Sequence, residues 1–537
     1  MICVKIKRVS HRVYTQNGAE KNMIQIQTDE PDFSYDIQAL TRSFFPGQKI
    51  KYFTGDLPPQ QEDAFLFMGI CMEEEAFHVT LCFDGRHLRR DVSVSSQGQG
   101  SWHKDEIKSE NPFRKRYKNA LKREIFQLYK QVVEWSGNQG MIPPWGTLTG
   151  VRPVKVALQI KEQKQNMEQV REELLEEYLL APEKADFALS LCEKESRLAG
   201  RVMKENSYSL YVGIPFCPTT CLYCSFTSYP YETFASCSEK YLDALEREMA
   251  LTAPILRDRN LQTVYVGGGT PTALTADQLD RMLTALHGYF PVEGALEFTV
   301  EAGRPDSITS EKLQILKKHG VGRISVNPQT MQEATLVRIG RNHTVEQTRE
   351  AFYLAREAGF DNINMDLIMG LPGERAADFA DTLEKILQLS PDSITTHSLV
   401  VKRASALRER AEQGEEFRLH GDGEQMLSMA LAFAEEQGYE PYYMYRQKNA
   451  SGTVGVSGQE NIGFARPGKE SLYNMLIMEE LQTIAALGAG ASTKLFDGRR
   501  RRISRIENVK SLRDYIDRVE EMAQRKKPLS EDMYFTL

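Results

Sequence analysis

The chain has 537 residues, of which 41% are hydrophobic and 26% charged, with a formal net charge of -7. That length accommodates about three domains of ~150–200 residues around substantial cores, and the composition is that of a globular protein rather than a fibrous or disordered one. The mild negative charge excludes a global bias toward nucleic acid or acidic membranes, the absence of any run of about 18 apolar residues excludes a hydropathic membrane span, and eight cysteines are too few for a disulfide scaffold.

Residues Met1–Lys7 alternate like a strand and lack an apolar signal core or cleavage site, which points to the cytoplasm. There thiols stay reduced, so a cysteine cluster reads as a metal site. Stretches 24–27, 64–71 and 78–83 read as strands, the last running into the Asp84-Gly85 turn. Residues 114–135 have helical spacing, with Tyr117, Leu121, Ile125, Leu128 and Val132 on one face. A loop with Pro143-Pro144, Gly146 and Gly150 precedes two more helical stretches that end near Glu205. Residues 1–165 are therefore expected to form an α+β domain, with 166–206 as a helical connector.

From Ser209 short apolar runs alternate with amphipathic stretches. Strands are expected at 209–216, 263–268, 297–301, 323–327, 363–368 and 393–401, and helices at 239–256, 275–288, 310–319, 345–358, 376–389 and 423–437. Gly320, Gly359 and Gly438 suit left-handed helix caps, and Thr344 with Gln347 fits a capping box. Six successive βα units argue for a parallel sheet with right-handed crossovers. The expectation is an α/β fold, a partial (β/α)6 barrel over 207–440 with active residues at the C-terminal ends of its strands. Residues 441–537 read as a C-terminal α+β extension covering the substrate.

The first barrel strand runs into Tyr211-Val212-Gly213-Ile214-Pro215-Phe216-Cys217-Pro218-Thr219-Thr220-Cys221-Leu222-Tyr223-Cys224, a C-x3-C-x2-C pattern. Three cysteines at fixed spacing arise by chance ~0.002 times in a chain of this composition. Three nearby thiolates on an iron–sulfur cluster leave one iron open for another ligand. A zinc knot with Cys237 as a distant fourth ligand is the alternative, but it gives the neighbouring motifs no role. Cys3, Cys71, Cys82 and Cys192 read as buried small hydrophobes.

This segment resembles the radical S-adenosylmethionine (SAM) signature C-x3-C-x-aromatic-C, with Tyr223 as the aromatic residue. The preceding Tyr-Val-x-Ile-Pro-Phe-Cys resembles the oxygen-independent coproporphyrinogen III oxidase branch, and the long N-terminal extension is most similar to its HemZ-type dehydrogenases. The resemblance covers residues from about 207 to about 495. It implies a [4Fe–4S] cluster on Cys217, Cys221 and Cys224, with SAM as second cofactor. By the same resemblance Gly268, Gly269 and Thr270 clamp the methionine amino group, and Glu301, Gln329, Arg341 and Asp366 contact SAM from successive strand ends. The resemblance also implies that Tyr211 is a catalytic and cofactor-facing tyrosine beside the cluster, with Tyr223 packed near it. The implied reaction converts coproporphyrinogen III to protoporphyrinogen IX through a 5′-deoxyadenosyl radical. It needs a tetrapyrrole substrate and a reduced flavodoxin- or ferredoxin-type electron donor, and no nucleic acid or membrane span. A HemW-like haem chaperone and a radical SAM enzyme acting on haem itself are the alternatives. The chain departs from the better-known oxidases at Gly213, where they carry histidine, and at Phe226, where they carry a fourth cysteine. Candidate propionate-binding clusters are Trp145 with Arg152 and Lys155, Lys402-Arg403, Arg446 with Lys448, and Arg499 to Arg502.

Overall fold

In the runs 207–214 and 260–268, Leu, Val and Ile alternate with Ser, Thr, Tyr and Gly, and nearly every side chain of both sets is buried. Strands hidden on both faces belong to a sheet covered by helices outside and filled by its own side chains inside. The computed structural model describes residues 23–55, 64–96, 111–137, 142–164, 166–202, 204–402, 405–413, 420–447, 460–500 and 502–535. The strand expected over Met1–Lys7, Cys3, Arg403, Lys448 and Arg501 lie outside them. The described residues up to Cys192 form one compact unit and those from Glu193 another.

The first unit carries β1 (Met23–Thr28), α1 (Ser34–Phe44), β2 (Lys49–Thr54), β3 (Ala64–Met72), β4 (Ala76–Phe83), β5 (Arg86–Ser93), α2 (Pro112–Trp135), α3 (Val154–Lys164) and α4 (Met167–Glu176). Its sheet order is β2-β1-β3-β4-β5, with β1 parallel to both neighbours and β3, β4 and β5 antiparallel. The expected apolar face of α2, Tyr117 to Val132, is buried in the same core as Ile24, Leu66, Phe77 and Val79. Asn111 caps α2 by accepting from the Arg114 backbone N–H, with proline at the first helical position. Helix α5 (Pro182–Val202) carries the chain onward.

In the second unit the elements follow as β6 (Ser207–Ile214), β7 (Phe216–Cys217), β8 (Tyr229–Pro230), α6 (Tyr231–Thr252), β9 (Asn260–Gly268), α7 (Ala276–Tyr289), β10 (Glu297–Gly303), α8 (Ser310–Lys318), β11 (Arg323–Val326), α9 (Glu333–Arg338), α10 (Val345–Glu357), β12 (Ile363–Met369), α11 (Ala376–Leu389), β13 (Ser393–Ser398), α12 (Ala406–Glu412), α13 (Gly423–Glu436), β14 (Glu440–Arg446), β15 (Glu460–Ala465), α14 (Leu472–Glu479), β16 (Thr483–Leu487), β17 (Ser492–Asp497), β18 (Arg502–Glu507), α15 (Leu512–Asp517) and α16 (Val519–Arg525). One sheet takes the order β14-β15-β13-β12-β11-β10-β9-β6-β16-β17-β18. The expected strands β6 and β9 to β13 lie side by side and parallel, which gives the α/β partial barrel. The left-handed caps occur at Gly320, Gly359 and Gly438 (φ 75°, 86° and 72°), and the Thr344–Gln347 capping box forms in full.

Several boundaries differ from expectation. The first barrel strand stops at Ile214, because Phe216–Cys217 turn away to pair with Tyr229–Pro230. The sixth stops at Ser398, where pairing with β12 runs out. Helix α6 begins at Tyr231, two turns early, since its first turns pack beneath the cysteine loop, with Phe216 edge-on to Tyr231 and Tyr241. The sheet also gains β16, parallel to β6, from the C-terminal segment. Among the described residues no helix is long and apolar enough to cross a membrane.

Candidate active site

Register sets what lines the inside of the partial barrel. Ser209 pairs with Thr263 and Tyr211 with Tyr265, while Glu301 pairs with Ser325 and Ser325 with Asn364. These inward residues hydrogen-bond to one another: Thr263 to Ser209 at 2.8 Å, Ser209 to Gln482 at 2.7 Å and Ser393 to Asn364 at 3.0 Å. The filling is therefore a largely hydrogen-bonded polar network below a mouth formed by the strand C-terminal ends, with Ser325 Oγ buried and without a hydrogen-bond partner.

At that mouth the chain leaves β6 and enters the cysteine loop. Leu222 N–H donates to Ile339 O at 3.0 Å, Cys224 N–H to Cys221 O at 3.1 Å, and Thr219 Oγ1 to Gly340 O at 3.2 Å. The loop is thus held by the α9–α10 turn. Thr270 Oγ1 donates to Cys217 Sγ at 3.5 Å, and Arg304 Nη1 reaches Cys221 Sγ at 3.9 Å. Burial pushes the Cys217 thiol up to about 12, the neighbouring cysteines adding to the rise, and burial also raises Cys224. Thiolates in such a place need a cation to stabilise them, and a metal centre supplies one while releasing protons. Among the described residues no three His, Cys, Asp or Glu side chains gather closely enough to share one ion. Cys237 lies on α6.

The glycine turn after β9 wraps this loop. Gly269 N–H donates to Ile214 O and Thr270 N–H to Phe216 O, both at 2.7 Å. A Cβ on Gly269 would stand 2.5 Å from Phe216 O and 2.8 Å from Ile214 O, so backbone, not side chain, fills the contact. Gly269→Ala is expected to push the two strands apart, lowering stability by about 1–3 kcal/mol and weakening retention of iron in a reconstituted protein. Wild-type melting and iron content would contradict this. On β9 itself, a Cβ on Gly267 would lie 2.8 Å from Cδ of Glu301 on the neighbouring β10, so the glycine leaves room for that carboxylate.

Glu301 is half-buried, and Tyr265 donates to its Oε1 at 2.5 Å. Burial pushes its carboxyl up to about 7; the Tyr265 hydrogen bond opposes the rise and the field of Asp366 adds to it. Tyr265 stacks on Tyr473 at 4.5 Å between ring centroids and on Tyr211 at 6.3 Å. Burial raises all three phenols far above their ordinary range. Asp366 Oδ1 accepts from Asn364 Nδ2 at 2.7 Å, and its Oδ2 lies 4.0 Å from His397 Nε2. Gln329 stands in the left-handed region (φ 67°), where its N–H meets Asp366 O and its carbonyl meets Ile368 N–H. A non-glycine residue there costs on the order of 1–3 kcal/mol, a strain typical of ligand sites. Arg341 Nη1 donates to Asn327 O at 2.5 Å and its guanidinium faces Tyr223 and Cys221, which raise its pKa against desolvation. Gln329 Oε1 and Arg341 Nε are buried without a hydrogen-bond partner.

The structure thus brings Glu301, Gln329 and Asp366 together at adjacent strand ends, Arg341 and Tyr223 beside Cys221, and Gly268 to Thr270 against Cys217. Tyr211 faces inward, its hydroxyl 3.0 Å from the position of a Cβ on Gly268. Tyr265, Tyr473, His397 and Arg304 carry no sequence signal of their own. Each is a single polar or aromatic residue whose inward direction only the register reveals. Two other expectations fail. Trp145, proposed as a stacking platform, is 1% exposed and belongs to a core. Cys71, read as buried, is exposed on β3.

A parallel partial barrel with a three-cysteine loop at its mouth is the architecture of radical SAM proteins, and the radical SAM superfamily profile matches residues 211–386. Over 444 residues the chain is 38% identical to the oxygen-independent coproporphyrinogen-III oxidase-like protein HemZ of Bacillus subtilis (strain 168), spanning 81% of this chain and 87% of that protein. The chain belongs to the radical SAM superfamily and, within it, to the HemZ-like family. It is also 33% identical to the haem chaperone HemW of the same organism over 314 residues, 58% of this chain and 76% of that one. The solved structure of Escherichia coli coproporphyrinogen III oxidase, HemN, overlaps 61% of this chain and 72% of its own with a TM-score of 0.48 at 24% identity.

Proposed function

We propose that the chain catalyses oxygen-independent oxidative decarboxylation of coproporphyrinogen III to protoporphyrinogen IX in the cytoplasm. Cys217, Cys221 and Cys224 would hold a [4Fe–4S] cluster, with SAM against Gly268–Thr270, Glu301, Gln329, Arg341 and Asp366. The donor set fits both groups: three free thiols on one loop, a cradle closed to any Cβ, and buried Gln329 Oε1 and Arg341 Nε with unmet hydrogen-bonding capacity. When bound, cluster and SAM supply one-electron cleavage of SAM and the power to abstract a hydrogen atom. The residues around them position the partners and exclude water. Each round removes one hydrogen atom from a propionate β-carbon, one CO2 and one electron, and leaves a vinyl group. A flavodoxin- or ferredoxin-type donor supplies the electron for SAM cleavage, and a separate acceptor takes the last one. Residues from 441 onward cover the substrate.

The observation that carries the substrate reading is the length of the HemZ match, which exceeds what residues 193–537 alone can hold. The HemW match fits inside them. Phe226 supports a macrocycle at the mouth: it is 70% exposed, two residues beyond Cys224, with Lys402 Nζ 5.7 Å from its ring centroid. An aromatic face beside a cation suits a flat ligand with carboxylates. The test is anaerobic incubation of reconstituted protein with SAM, dithionite and coproporphyrinogen III, read by mass spectrometry. Loss of two CO2 with formation of 5′-deoxyadenosine is expected. Tight haem binding without decarboxylation would favour the chaperone, and a modified haem with intact propionates an enzyme acting on haem.

Glu301 makes SAM affinity pH-dependent. Its ionised form accepts ribose hydroxyl bonds on both oxygens, and burial pushes its carboxyl up to about 7. Affinity should rise from pH 6 to pH 8 and then level off. Stability runs the other way: the folded carboxyl keeps its proton to higher pH than the unfolded one, so stability falls between about pH 4.5 and pH 7. Glu301→Gln should bind SAM about tenfold more weakly at pH 8 and lose the pH trend, as read by equilibrium dialysis. A variant that kept the trend would remove Glu301 from the site.

A further inference from the structure

Arg304 sits on the turn after β10, in Glu301-Ala302-Gly303-Arg304-Pro305, outside every motif read from the sequence. Its side chain is 3% exposed, and charged groups are rarely buried so fully without partners. On one edge Nε and Nη2 fork onto the two Asp306 oxygens at 2.8 and 2.6 Å. From the other edge Nη1 donates to Thr219 Oγ1 at 2.9 Å and reaches Cys221 Sγ at 3.9 Å. The guanidinium therefore bridges a carboxylate and the cysteine loop. The other ionisable groups here are Arg341, which faces the same sulfur, and His343, whose burial beside Arg341 pushes it down to about 3 and keeps it neutral.

We propose that Arg304 sets the reduction potential of the iron–sulfur cluster through the Cys221 sulfur, with the Asp306 carboxylate damping its charge. This rests on the reading of Cys217, Cys221 and Cys224 as cluster ligands. Reduction adds negative charge to a centre already carrying three thiolates. An N–H donor and a positive charge at one sulfur stabilise the reduced form more than the oxidised form and raise the potential. Asp306 pulls the other way. Removing the arginine and removing the carboxylate should thus move the potential in opposite directions, which general loosening of the loop would not do.

Wild type, Arg304→Gln, Arg304→Lys and Asp306→Asn are reconstituted anaerobically, and iron and sulfide are counted. The midpoint is then followed by electron paramagnetic resonance in a mediated dithionite titration without SAM. At a fixed potential Arg304→Gln should hold about tenfold less reduced cluster relative to oxidised, about 59 mV for a one-electron couple. Arg304→Lys should fall between it and wild type, and Asp306→Asn should shift upward. If Arg304→Gln fails to fold, the lysine and asparagine variants decide. Unchanged midpoints in fully loaded variants, or shifts of the same sign in Arg304→Gln and Asp306→Asn, overturn the proposal while the ligand assignment stands. A wild-type protein that takes up no cluster defeats the assignment and the proposal with it.

Discussion

Cys221→Ala should abolish iron–sulfur absorbance and SAM cleavage together and leave the melting curve nearly unchanged. The separation of these effects follows from what holds the loop. Its anchors are backbone hydrogen bonds from Leu222 to Ile339 and from Cys224 to Cys221, with the Thr219 hydroxyl on Gly340 O. None uses the Cys221 sulfur, and that side chain is only half-buried. Loss of a partner outside the ligand set typically costs ~10–100-fold in metal affinity. Loss of a ligand itself should exceed that and take turnover to background. Circular dichroism and iron analysis on the same sample check both halves; normal turnover in the variant would refute the ligand set.

Glu248→Ala should be the most destabilising single change in the second unit. Glu248 on α6 and Lys526 after α16 are both fully buried and paired at 2.6 Å. Glu248 also accepts from Gly488 N–H at 2.8 Å, Tyr515 OH at 2.6 Å and Asn508 Nδ2 at 2.8 Å. Removing it strands a buried ammonium and three donors, at a cost of about 3–5 kcal/mol. The network lies where β6 feeds the cysteine loop, since Tyr241 OH donates to Gly213 O at 2.5 Å and the Ala489 N–H reaches the same hydroxyl at 3.4 Å. Cluster retention should therefore fall with stability. A Glu248→Met, Lys526→Met double variant should recover much of the loss, because no charge is left unpaired. An unfolding free energy within about 1 kcal/mol of wild type for Glu248→Ala would contradict the account.

Local chemistry made the barrel legible. Apolar runs closed by Gly320 and Gly359, and a capping box at Thr344, fix elements through nearest neighbours, and those elements lie where periodicity puts them. Likewise Cys217, Cys221 and Cys224 lie in one short segment. What stayed hidden depends on distant pairing. β16 joins β6 through pairs such as Thr483 with Tyr208, far apart in the chain and with no motif to announce them. Arg304 and Tyr265 read as an ordinary loop cation and strand aromatic until register turns them toward Cys221 and Glu301. Gly213 shows the same dependence on distant pairing: a Cβ there would lie 3.3 Å from the Tyr211 ring and 3.4 Å from Leu487 O on β16, contacts that no local motif announces.

Mössbauer spectra of anaerobically reconstituted protein, recorded without and with SAM, address the vacant coordination vertex itself. One iron in four should change its isomer shift when SAM is added, the other three staying as they were. Four irons indifferent to SAM, or a protein that fills with zinc under the same conditions, would contradict the account.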